Sequence, residues 1–367
     1  TTSTSVIDDN ISGGQGHGTA VSGLVALGEE GINSNYMGNL TAHCMLLPIK
    51  IIDENNKYLF ISSIIDVLYK TRKTHPEVKI FTLTVNFEVH KMFNENYSNY
   101  AYALDKFSFE NDCLIFISTG NNENAINRYN NYDLAVFNEE TSNINVPAES
   151  LNNMTVGACA NSFKQGDFAG ISDGKEFPTM YSRRGHYNYA LLNKGEKVNK
   201  LLFKPDLIMA GGDYCLHRRF ITFEGIASMT VISADPTESF YNQVGTSFAA
   251  PLAANIAVRL QKLYPNVKAS TLKALMINHC TDNLVAAENK QLLIGHGNID
   301  VNKVLYSDEN KITFIIEETI DNEQIKTYPI TLPSYLYNDD LGKVNGILKV
   351  TATLCYNFLP IKDNQLG

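Results

Sequence analysis

The stretch Gly245-Thr246-Ser247-Phe248-Ala249-Ala250-Pro251 places a serine hydroxyl at the mouth of a helix. From Phe248 to Tyr264 the chain is apolar, with small residues at Ala249, Ala250, Ala253, Ala254 and Ala257, the pattern of a buried helix packed closely on its neighbours. Pro251 falls in the opening turns, where a missing amide is best tolerated. A serine at such a start sits among unpaired backbone N–H groups and at the positive end of the helix dipole, and both stabilise negative charge developing beside it. Two readings fit it: a nucleophile, or an ordinary N-cap. In Gly16-His17-Gly18-Thr19-Ala20-Val21-Ser22-Gly23 an imidazole stands between glycines at the start of another small-residue helix. Imidazole is the side chain best suited to take a proton from a hydroxyl near neutral pH. The apolar strand Cys113–Ser118 runs on to Gly120-Asn121, where an amide can donate a hydrogen bond into a cleft or simply close a turn.

In this order, the three stretches resemble the subtilases, the subtilisin-like serine peptidases, over about Ser5 to Leu305. Weaker matches lie between them. Val156-Gly157-Ala158 is similar to the strand that follows the oxyanion segment, and Tyr181-Ser182-Arg183-Arg184-Gly185 to a Ser-x-x-Gly turn. Lys204-Pro205-Asp206-Leu207 with Ala210-Gly211 resembles a Lys-Pro-Asp…Ala-Pro-Gly segment, with Gly211 where proline is usual. Gly295-His296-Gly297-Asn298-Ile299-Asp300 resembles the closing Gly-x-Gly turn of that family.

A carboxylate is needed to hold the imidazole tautomer and stabilise the imidazolium. The candidate lies in Val6-Ile7-Asp8-Asp9-Asn10-Ile11, an apolar strand ending in acidic residues, which resembles the family's aspartate motif with Asn10 in place of glycine. Asp8 takes the catalytic position. It precedes His17 by nine positions, where the family inserts a few dozen residues. Two readings stay open: Asp8 is the triad carboxylate, or the carboxylate lies upstream of Thr1.

The resemblance implies a serine endopeptidase working through an acyl-enzyme. Ser247 would attack the carbonyl, His17 would carry the proton, Asp8 would orient His17, and Asn121 with the Ser247 backbone amide would hold the oxyanion. It also implies a polypeptide substrate bound as an added β-strand on the edge Thr84-Val85-Asn86, facing residues near Lys57–Phe60, with Gly120 at the floor of the first pocket. Asn86 replaces a glycine of the family pattern. This chemistry requires no cofactor. A structural calcium, common in the family, would need loop carboxylates that one sequence does not identify. The alternative is a degenerate subtilase that binds peptides or regulates without cutting. An α/β-hydrolase esterase is disfavoured, because Gly-x-Ser-x-Gly is absent around Ser247.

Composition narrows the class further. The net charge of −9 argues against nucleic acid or an anionic membrane as partner, and 44% hydrophobic with 19% charged residues is ordinary for a globular chain. No apolar run approaches the roughly 20 residues of a spanning helix. Cys44, Cys113, Cys159, Cys215, Cys280 and Cys355 are widely spaced in apolar runs and read as buried thiols, which points toward the cytoplasm.

The elements that must position these groups alternate. Strands are expected near Thr4–Ile7, Met45–Ile52, Lys79–Val85, Leu114–Ser118, Asn153–Val156 and Thr230–Ser233. Helices are expected near Gly18–Leu27, Ile61–Lys73, Tyr97–Phe109, Phe248–Leu263 and Ala269–His279. The alternation predicts an α/β fold of three layers, with a mostly parallel sheet covered on both faces and functional groups at the carboxyl ends of its strands. Residues 1–306 would form this peptidase domain. Residues 307–367 change texture, and Lys311–Ile316, Thr327–Leu332 and Gly346–Tyr356 read as strands of a β-sandwich-like appendage able to dock a protein regulator.

Overall fold

A strand such as Leu114–Ser118, apolar at nearly every position, can only be stable with both faces covered, and all five of its residues are buried. The structure, a computed structural model, describes residues 16–32, 38–49, 51, 60–85, 87, 89–125, 131–160, 170–188, 203–217, 220–222, 227–235, 237–282, 290–306, 311–321, 323–331 and 349–361. The elements begin with α1 (His17–Leu27), α2 (Ile61–Thr74), β1 (Ile80–Leu83), α3 (Asn99–Asn111) and β2 (Leu114–Ser118). Next come β3 (Met154–Cys159), β4 (Leu207–Ala210), β5 (Cys215–His217), β6 (Phe220–Thr222), β7 (Met229–Ile232) and β8 (Phe240–Gln243). The last are α4 (Thr246–Leu263), α5 (Ala269–Asn278), β9 (Cys280–Thr281), α6 (Lys290–Ile294), β10 (Asn298–Ile299) and α7 (Val301–Leu305).

The main sheet runs β1-β2-β3-β4-β10-β9, parallel throughout except for β9 against β10. Side-chain alternation divides its faces. Leu114 and Phe116 of β2 join Met154, Val156, Leu207 and Met209 in a core with α1, α4 and α5. Ile115 and Ile117 point the other way, into a core with α2 and α3. The expected three layers with a mostly parallel sheet are therefore present. The small residues of α4 explain its place: Ala249, Ala250, Ala253 and Ala254 are fully buried, so α1 and the sheet approach its backbone closely.

The amino ends of the strands are tied by buried polar groups. Asp105 of α3 accepts bonds from Ser150 Oγ, the amides of Leu151 (2.7 Å) and Asn152 (2.9 Å), and Asn153 Nδ2 (3.0 Å). Lys204 and Lys273 both reach Asp206, at 2.6 and 3.1 Å. Burial raises the cost of the Asp206 charge, yet the two ammonium groups hold its carboxyl below the usual range. On the same rim Asn152 clasps the backbone of Phe358, its Nδ2 donating to the Phe358 carbonyl (2.8 Å) while its Oδ1 accepts from the Phe358 amide (3.2 Å).

Three expectations come out differently. The expected strand at Met45–Ile52 is not a strand over its described residues; Met45, Leu46 and Leu47 are exposed. Thr230–Ser233 does form a strand, β7, but it pairs antiparallel with β8 in a separate hairpin. The described residues of 311–361 contain no strand, and Ile312, Phe314, Ile316 and Leu354 are exposed. In each case the apolar pattern supplies side chains for a strand, but a strand exists only where its backbone finds a partner. Thr4–Ile7 lies outside the described residues. No helix among them is long and apolar enough to cross a membrane.

Candidate active site

At the carboxyl rim of the sheet the chain brings together segments far apart in sequence. Strand β2 ends at Ser118, and two residues on Gly120 turns the chain with a φ of +94°. A Cβ at Gly120 would lie 2.7 Å from Asn145 Nδ2 and 3.1 Å from Arg183 Cδ, so both the conformation and the space require glycine. The turn delivers Asn121, half-buried, to the start of α4. There its Oδ1 accepts from both the amide and the hydroxyl of Thr246, each at 3.0 Å. With the oxygen so engaged, the amide nitrogen is the end turned toward Gly245, 3.4 Å from where a Cβ at that glycine would sit.

Ser247 is the second residue of α4, half-buried, and its hydroxyl donates to the carbonyl of Thr84 just past β1, at a long 3.4 Å. Thr246 carries no side-chain cap role within the helix; Gly245 is the N-cap and offers none. Pro251 is the sixth helical residue, beyond the first turn, so the carbonyl of Ser247 lacks the amide that would normally bond to it.

His17 is the first residue of α1, after Gly16 at a φ of +89°. Its exposed ring packs against Phe248, the neighbour of Ser247, with centroids 5.7 Å apart. Helix α1 is drawn onto α4 through Ala20 and Leu24, both in the same core as Phe248. Thus His17, Asn121 and Ser247 gather at one rim, with Thr84, Val85 and Gly120 beside them. Asp8 and Asn86 lie outside the described residues, as do the residues from Lys57 to Leu59; Phe60 is exposed. Among the described residues no group of three or more His, Cys, Asp or Glu side chains is arranged to hold a metal ion. A cavity of about 160 Å³ lined by Glu29, Asn255, Arg259 and Tyr306 includes none of the expected site residues.

Two residues inside the weaker motifs gain a role only in the structure. Gly211 stands where the resembled family has proline, and the structure gives the reason. Its amide donates to Cys159 O at 3.1 Å, which proline could not do. A Cβ there would fall 2.5 Å from that of Ala158 and 2.8 Å from Tyr181 Oη, while Gly211 O receives the amide of Gly245 at 2.9 Å. The second is Arg183, nearly buried behind the Gly120-Asn121 turn. Nothing in its spacing marks it.

A hydroxyl at a helix start, an imidazole packed on the phenylalanine next to it and an amide with its nitrogen turned toward the same helix start are the kinds of group an acyl-transfer site uses. Comparison with known proteins agrees in kind. The model of the family described as "Subtilase family" matches residues 2–297. A curated relative, the protein y4bN of Sinorhizobium fredii (strain NBRC 101917 / NGR234), is 25% identical over 304 residues, 74% of this chain; the chain spans 66% of that relative's length. Among solved structures, a lanthipeptide protease superposes with a TM-score of 0.51 at 14% identity, covering 83% of this chain and 80% of the other. Proteases from Pseudoalteromonas arctica PAMC 21717 give 0.50 at 15% identity, covering 82% and 75%. At such identities these structures speak for the fold alone.

Proposed function

The chain belongs to the subtilase family, and from that membership we propose that it is a serine endopeptidase acting through an acyl-enzyme. Ser247 Oγ forms a bond to the scissile carbonyl carbon as its proton passes to His17. The carbonyl oxygen becomes an oxyanion, stabilised by Asn121 Nδ2 and the Ser247 amide. The C–N bond then breaks, the amine leaving with the proton from His17. Water adds to the ester by the same route in reverse, regenerating Ser247. Asp8 orients His17 in this scheme. The substrate lies as an extra strand along Thr84, Val85 and Asn86, with its leading side chain over Gly120.

The observation that best supports this reading is the pair of hydrogen bonds from Thr246 to Asn121 Oδ1, because it leaves the amide nitrogen, the end that can stabilise an anion, turned toward Gly245 at the start of the helix that carries Ser247. An N-cap role for Ser247 is disfavoured: it sits inside the helix, not before it. A fluorophosphonate probe incubated with the full chain should label it, and Ser247→Ala should abolish both labelling and peptide hydrolysis. A wild-type chain that binds peptides yet takes no label would instead fit the degenerate alternative.

A further inference from the structure

The hydrogen-bond donors of Arg183 converge on the loop that carries Asn121. Its backbone amide donates to Gly120 O at 3.3 Å, and its Nε donates to Asn121 O at 3.1 Å. Its Nη1 donates to Asn143 O at 3.0 Å and to Thr141 O. The side chain is 7% exposed. Gly120, which has no room for a Cβ, is held between Asn145 and the Arg183 stem. The peptide groups on both sides of the Asn121 Cα are thus fixed from behind, while Thr246 fixes the amide from the front.

We infer that Arg183 is a positioning residue for the oxyanion site, its guanidinium fork aligning the Asn121 side chain by clamping the main chain of Asn121 to that of residues 141 and 143. This rests on the protease reading given above. A planar fork suits the task, because one rigid group reaches carbonyls in different directions, where an ammonium is a single point. Burial pulls the guanidinium down to about 10, which leaves it charged at neutral pH. Arg184 provides the comparison within the same turn. It is as buried and similarly bonded, to Phe137 O at 2.7 Å and to Gly185 O, and it stacks on Phe93, but its guanidinium hydrogen bonds go to these carbonyls and not to residues 120 or 121.

The test is steady-state hydrolysis of a chromogenic peptide by the full chain and four variants: Arg183→Met, Asn121→Ala, the two combined, and Arg184→Met. Misplacing a reacting group by about an ångström can cost on the order of 100-fold. Arg183→Met is therefore expected to lower kcat by roughly 10- to 100-fold with KM within about twofold. In the Asn121→Ala background the same change should cost less than about threefold, because the group it aligns is gone. Arg184→Met should lower thermal stability comparably while kcat falls far less. Should Arg183→Met fail to fold, Arg183→Lys takes its place, with a smaller loss of kcat that again vanishes in the Asn121→Ala background. Equal losses in both backgrounds, a loss confined to KM, or matching kinetics for the Arg183 and Arg184 variants would overturn the inference while leaving the protease reading intact. A wild-type chain that neither cuts peptide nor takes a fluorophosphonate label overturns both.

Discussion

Asn121 and Thr246 stand 125 positions apart, yet a single oxygen of Asn121 accepts both the amide and the hydroxyl of Thr246 at 3.0 Å. Thr246→Val keeps the shape and the amide but removes the hydroxyl donor. A net hydrogen bond contributes about 0.5–1.5 kcal/mol. Turnover of a peptide substrate should fall by up to roughly tenfold, with KM little changed, when the variant is compared with wild type in steady-state assays.

Asn121→Ala removes the proposed oxyanion donor outright. Loss of one such donor costs about 10²–10³ in kcat. The variant should still bind a substrate-like peptide inhibitor with near wild-type affinity, measured by competition. Equal damage to turnover and to binding would count against the role.

Gly211→Ala tests the crowded contact under Gly245. Its new methyl would meet Ala158, Tyr181 Oη and the Gly245 carbonyl, all at 3.0 Å or less. Overpacking of a rigid site costs about 1–3 kcal/mol. Thermal unfolding should occur several degrees lower, and the double variant with Tyr181→Phe should recover only part of the loss, since Ala158 still obstructs.

His186 makes acid stability measurable at one residue. It is 1% exposed, with Nε2 3.0 Å from the Glu95 carbonyl and Nδ1 without a hydrogen-bond partner among the described residues. Burial first, then the positive charge of Lys91, pulls its pKa down to about 3. A folded value below the unfolded one of about 6.5 means that the stabilisation is complete above pH 6.5 and drains away as pH falls toward 3. His186→Gln keeps a donor for Glu95 but cannot titrate. Between pH 7 and pH 4, urea unfolding should shift in favour of the variant relative to wild type by on the order of 3 kcal/mol. Parallel pH profiles would refute the assignment.

Much of this architecture could be read from the residues. Leu114–Ser118 forms a strand with the bounds expected of it, and the helices at 61–74 and 269–278 follow their amphipathic patterns to within a residue or two. Helix α3 starts later than its pattern suggested because Ser98 caps it, accepting from the Ala101 amide. Other parts depended on partners that a pattern does not name. Leu207–Ala210 is a short strand defined by lying between β3 and β10. Met45–Leu47 and Ile312–Ile316 carry strand-like sequences without becoming strands. At the candidate site, His17, Asn121 and Ser247 stand out in the sequence because their neighbours are small and unusual. Arg183 does not, because its carbonyl acceptors at 121, 141 and 143 come together only through the fold.

The clasp between Asn152 and Phe358 joins the trailing segment to the core at the end of the sheet away from Ser247. Phe358 is thereby held at the rim opposite the one where Ser247 stands. A bulky reporter attached near Phe358 should leave the proposed hydrolysis of small peptides undiminished, which makes this anchorage a convenient handle for immobilising the chain with the candidate site facing outward.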